Sequence, residues 1–116
     1  MTGMSILQQA CSLMGQQERL NGDAGGENGL LVVNQIYGEL WHREHKEPFE
    51  PLSHSKQRLA LTWRLMPAMA YGVAMLLSLN EEGPYERYQE LYHRAATHAG
   101  GLAPYRTDTL FQGVTE

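Results

Sequence analysis

Glu39, His42 and His45 come closer than any other residues of this sequence to a metal-binding spacing. On a helix their i, i+3 and i+6 positions would present one carboxylate and two imidazoles along one side, the ligand types that zinc accepts. No second coordinating pair sits at a matching spacing, and Arg43 and Lys46 bring positive charge to the same turn. The pattern therefore reads as a solvated, charged helix end. Cys11 is the single cysteine, so no intramolecular disulfide can form, and the chain suits a reducing cytoplasm. Its neighbours Ile6, Leu7, Ala10 and Met14 make it a small apolar side chain rather than a reactive thiol. The glycine-rich stretch 16–29 invites comparison with a phosphate loop. It lacks the Gly-Lys-Ser/Thr ending, a preceding strand and the Gly-x-Gly-x-x-Gly spacing. The sequence also contains no Gly-x-Ser-x-Gly elbow, His-Glu-x-x-His, paired Cys-x-x-Cys or calcium loop. No carboxylate lies inside an apolar run that would raise its pKa for general acid work. The expectation is a protein that is not an enzyme and carries no cofactor.

Such side chains need a frame, and the stretch 66–79 sets it. Met-Pro-Ala-Met-Ala-Tyr-Gly-Val-Ala-Met-Leu-Leu-Ser-Leu has no charge and only two side-chain hydrogen-bonding groups, on Tyr71 and Ser78. Pro67 suits a first helical turn, and the Ala, Met and Leu that follow favour helix. A helix apolar on nearly every side must be wrapped by other elements. These 14 residues are too few for a bilayer, which takes roughly 20. The expected fold is all-α, a bundle of about four helices around a central apolar helix near residues 63–80. Gly72 within it should let a neighbouring backbone come close.

Around this rod the chain divides readily. Residues 5–14 read as a first helix, with Ser5 as its cap, Gly15 as its left-handed end, and Ile6, Leu7, Ala10, Cys11, Leu13 and Met14 on one face. Residues 30–43 form the second, with Leu30, Val33, Ile36, Tyr37, Leu40 and Trp41 within about 140° of arc, and Leu31 and Val32 outside it. A connector over 47–55 is fixed by Pro48 and Pro51. Leu59, Leu61 and Trp63 then alternate with polar or small residues, which suggests an extended or single-turn crossing without an evident strand partner. Either Thr62 or Pro67 starts the central helix. Gly83 ends one helix and Pro84 starts the next. From 84 to 99, Tyr85, Tyr88, Leu91, Tyr92, Ala95, Ala96 and Ala99 share one stripe, and Glu90 and Arg94 pair at i, i+4 on the other side. Gly100-Gly101 should break this helix.

Residues 1–101 thus make one helical domain and 102–116 an irregular C-terminal tail. The tail carries Tyr105, Leu110, Phe111 and Val114 on a segment too short for its own core. The tyrosine stripe is either core or a subunit interface. Tyr85, Tyr88, Tyr92, Tyr105, Leu110, Phe111 and Val114 are the candidate subunit or partner contacts. Composition fits a globular protein, with 42% hydrophobic and 19% charged residues among 116. The formal charge of −4 argues against a phosphate-gripping surface, and no secretory signal is visible at the N-terminus.

Three segments carry a family likeness. Val33-Asn34-Gln35-Ile36-Tyr37-Gly38-Glu39-Leu40-Trp41, Ala70-Tyr71-Gly72-Val73-Ala74-Met75-Leu76-Leu77 and Tyr88-Gln89-Glu90-Leu91-Tyr92 resemble the small all-α head–tail connector (neck adaptor) proteins of tailed phages and prophages. The likeness spans roughly residues 30–99. The glycine-rich loop at 21–29 and the histidine-containing stretch 41–45 have no place in it. The resemblance implies a structural protein that forms a homo-oligomeric ring at the portal protein, extends the DNA channel and meets a downstream neck or tail-completion protein. DNA would pass without specific binding, no membrane would be involved, and the protein would be made in the host cytoplasm and end in the virion neck. Competing readings are a mobile-element regulatory or protein-interaction domain, and a metal-dependent enzyme using Glu39, His42 and His45.

Overall fold

Four α-helices carry the chain: α1 (Gly3–Leu13), α2 (Glu27–Trp41), α3 (Met66–Leu77) and α4 (Pro84–Gly101). The structure is a computed structural model and describes residues 1–101 apart from Asn80 and Glu82. The described residues are predominantly helical and form a small all-α bundle. None of their helices is long and apolar enough to cross a membrane.

The apolar rod lies at the centre, as its composition requires. Along α3, Ala68, Met69, Ala70, Gly72, Val73, Ala74 and Met75 are all buried. α1, α2 and α4 each pack on it. Gly72 serves side chains rather than a neighbouring backbone. A Cβ there would stand 2.8 Å from Ile36 Cγ2 and 2.9 Å from Tyr92 Cδ1. The missing methyl therefore lets α2 and α4 interlock across the middle of α3.

Helix ends depart from the expected positions for identifiable reasons. α1 begins two residues before Ser5, because Thr2 caps it and Ser5 closes a reciprocal capping box: Ser5 N–H to Thr2 Oγ1 is 3.1 Å and Thr2 N–H to Ser5 Oγ is 2.9 Å. Gly15 does adopt the left-handed conformation, with φ 67°. Leu13, expected on the packed face, is exposed. The polar stretch after α1 coils into two short 3₁₀ segments, Gln17–Asn21 and Asp23–Gly25, and α2 begins at Glu27 rather than Leu30.

Thr62 and Pro67 prove to mark successive starts. Thr62 precedes a 3₁₀ turn (Trp63–Leu65), and α3 proper begins at Met66 with Pro67 in its first turn. α3 closes at Leu77 with Ser78 as its C-cap, so Gly83 does not end it. Gly83, at φ 90°, instead leads into α4, its carbonyl accepting the Arg87 N–H at 3.0 Å. α4 runs through Gly101, past the expected glycine break.

The helices alternate in direction. Tyr88 near the start of α4 donates from its hydroxyl to the Leu13 carbonyl at the end of α1, 3.0 Å away. Arg19 donates to the Leu77 carbonyl at the end of α3, also at 3.0 Å. These contacts gather the 14–26 loop, the end of α3 and the start of α4 at one end, here the loop end. The end of α2, residues 42–62, the N-terminal arm and the start of α3 gather at the other, the connector end.

The crossing expected over residues 56–63 has a partner at its start. Leu59 N–H donates to Met1 O at 2.9 Å, Gly3 N–H to Gln57 O at 3.3 Å, and Met4 N–H to Ser55 O at 2.6 Å. Thr2 and Arg58 make an antiparallel bridge. The N-terminal arm thus supplies the edge that the sequence pattern left unassigned.

Candidate functional site

The residues with metal-ligating spacing are not brought together. Glu39 accepts the Tyr92 hydroxyl at 2.6 Å. His45 stacks on Trp41, ring centroids 4.0 Å apart, and bonds through Nε2 to the Ala60 carbonyl. Its Nδ1 lies 3.7 Å from Glu47. His42 is exposed beyond the end of α2. Among the described residues, no group of three or more His, Cys, Asp or Glu is placed to hold a metal ion. Cys11 is fully buried in the α1 face, as its apolar neighbours imply.

Two tyrosines offered as interface residues belong to the interior. Tyr88 and Tyr92 are 4% and 5% exposed. Their rings pack in the core while their hydroxyls reach Leu13 O and Glu39. The stripe packs on the core of its own chain: Tyr88, Tyr92 and Ala96 are buried, with Tyr85, Leu91 and Ala95 at their margin. Burial, followed by the bond to Glu39, holds the Tyr92 hydroxyl well above the usual phenol pKa. Tyr85 is half-buried at the edge of the core. Tyr105, Leu110, Phe111 and Val114 lie outside the described residues.

The connector end is tightly bonded. Asn34 clamps the buried Leu52 from both sides: its Nδ2 donates to Leu52 O at 3.0 Å, and its Oδ1 accepts Leu52 N–H at 2.7 Å. The Tyr37 hydroxyl accepts Ala60 N–H at 2.8 Å, and Trp41 Nε1 donates to Glu47 O at 2.6 Å. Glu44 accepts Thr62 N–H at 2.8 Å and also the Thr62 hydroxyl. Phe49 meets Tyr37 edge-on at 5.1 Å and lies over Gly38. Asn34, Tyr37 and Trp41 thus fasten the non-helical connector to α2, and Glu44 ties the segment just after α2 to the one that leads into α3.

Trp63 projects from this end, 78% exposed, with Arg64 exposed beside it. The alternation of Leu59, Leu61 and Trp63 places all three on one side of an extended chain. Leu59 is buried and Leu61 half-buried, but the backbone turns into the 3₁₀ segment at 63 and swings the indole outward. The sequence signals for this are Thr62 as a candidate helix start and the polar company of Thr62 and Arg64. At the loop end, Leu31 is 66% and Leu79 59% exposed, and Leu13 is also open. A recess of about 130 Å³ lies there between Leu13, Met14, Ser78, Glu81, Arg87 and Tyr88.

No protein-family model matches the chain, and neither the curated proteins nor the solved structures contain a match. What stands is a closed helical core that turns large apolar side chains outward at both of its ends.

Proposed function

We propose that this chain is a structural assembly protein of the head–tail connector type. It would form a ring at a phage portal, extend the DNA channel and join head to tail. The observation that carries the reading is the outward display of Trp63, Leu31 and Leu79 by a bundle whose core is otherwise closed. Large apolar side chains held open to solvent offer anchors for another protein, tryptophan above all, and a ring needs two different surfaces on each copy. The three segments that resemble neck adaptors support the same reading. A chain of net charge −4 would line a DNA channel while neutralising few phosphates.

The tail, residues 102–116, belongs to this proposal as the segment that meets the portal or a sister subunit. Electron microscopy and light scattering of the chain, alone and mixed with a phage portal protein, test the function. The expected result is a closed ring that co-purifies with the portal. Deleting residues 102–116 should leave a folded chain that no longer joins it. Absence of portal binding by the full chain overturns the reading.

A further inference from the structure

We infer that copies of this chain associate end to end, the acidic, leucine-bearing loop end of one subunit seating on the basic, Trp63-bearing connector end of the next. This deepens the ring reading by naming the two faces, and it rests on self-assembly rather than on the portal.

The two ends differ in charge as well as in shape. At the connector end, Arg43, Lys46, Lys56, Arg58 and Arg64 are exposed, against exposed Glu44, Glu47 and Glu50. The five basic side chains outnumber the three carboxylates, which leaves this end positive. At the loop end the exposed side chains include Glu18, Glu27, Glu81 and Glu86, with Arg87 exposed and Arg19 turned inward to Gln16 and Leu77 O. A net positive end and a net negative end on one molecule repel like ends and attract unlike ones, which fixes orientation. The apolar groups supply the affinity. An indole with most of its surface in water is the residue type most often found at energetic centres of interfaces, and Leu31, Leu79 and Leu13 give it apolar surface to cover.

The sides of the bundle offer less. The described outward face of α4 is charged and carries the Glu90–Arg94 ion pair at 2.8 Å. An interface whose two faces differ is heterologous, and it closes into a ring when the rotation between successive copies permits.

Sedimentation velocity over a rising concentration series provides the test, with circular dichroism confirming the fold of every variant. The wild-type chain is expected to associate reversibly, less strongly at high salt. Trp63→Ala should weaken association about tenfold or more. Two charge reversals, Lys56→Glu with Arg64→Glu and Glu18→Lys with Glu81→Lys, should each leave a chain that no longer self-associates. Mixing the two reversed chains should restore association. A wild-type chain that stays monomeric throughout, a silent Trp63→Ala, or reversed chains that assemble like wild type would each overturn the inference, as would a mixture that fails to recover. Association through these ends without portal binding would sink the connector reading and leave this inference standing. Portal binding by a chain that remains monomeric would do the reverse.

Discussion

The connector end and the loop end of this bundle solve the same problem by different means. At the connector end, a long non-helical segment is held by side chains that reach across: Asn34 to Leu52, Tyr37 to Ala60, Trp41 to Glu47, and Glu44 to Thr62. At the loop end, the short 3₁₀ turns carry bonds within themselves, Arg19 N–H to Gln16 O and Gly22 N–H to Arg19 O, and leucines stand open to solvent. There Ser78 is 1% exposed and its Oγ has no hydrogen-bond partner. The lesson concerns length. A connector of some twenty residues cannot satisfy its backbone locally and must borrow partners from the helices, whereas a short 3₁₀ turn bonds to itself.

The harshest way to disturb both ends together is through the middle they share. Gly72→Val puts branched atoms where even a single Cβ would approach Ile36 and Tyr92 below 3.0 Å. Forced overpacking of this kind costs about 3 kcal/mol, and urea unfolding should show that loss with both ends melting together. Asn34→Ala separates the ends. It strips the buried Leu52 N–H and C=O of their partners, for an expected loss of about 2 kcal/mol. Hydrogen exchange should quicken at residues 50–60 and stay unchanged at 14–26. If both regions quicken equally, the connector is not an independently fastened unit.

A smaller effect belongs to alkaline solution. The folded Tyr92 pKa lies above its unfolded value, because burial and Glu39 both disfavour the phenolate. The stability linked to this group is therefore fully present below the unfolded pKa of about 10 and is lost as the pH rises above it toward the folded pKa. Tyr92→Phe should flatten that alkaline decline, as read by urea midpoints across the range. The mildest change runs opposite in sign. Ser78→Ala removes a buried hydroxyl that bonds to nothing, and should leave stability unchanged or raise it by up to about 1 kcal/mol. A loss of stability there would mean that the loop end is as closely bonded as the connector end.

The fold class could be read from residues 66–79 alone, since a stretch without charge and too short for a bilayer has to be wrapped. The stripes on α1, α2 and α4 were equally legible, because a helix records its buried side as a local period. What escaped were the contacts between segments distant in sequence. Nothing in the type of Asn34 shows that its amide will hold Leu52, and Thr2 could be recognised as a cap only together with Ser5. The tyrosine stripe showed which side of α4 is apolar but not whether this chain or another covers it. For Tyr88 and Tyr92 the groove beside α3 decides in favour of this chain. Trp63 shows the converse: period two holds only while the backbone remains extended, and the 3₁₀ turn that Thr62 allows begins at that residue.

The bonds from Met1, Gly3 and Met4 to residues 55–59 also bear on the order in which the chain can mature. Translation delivers the arm first and its docking strip more than fifty residues later. The first helix must therefore leave the ribosome with its leading edge unsecured, and only after the prolines of the connector have emerged can that edge be fastened. Such a late, distant closure slows folding relative to a bundle built solely from neighbouring helices, and it makes the beginning of the chain one of the last parts to settle.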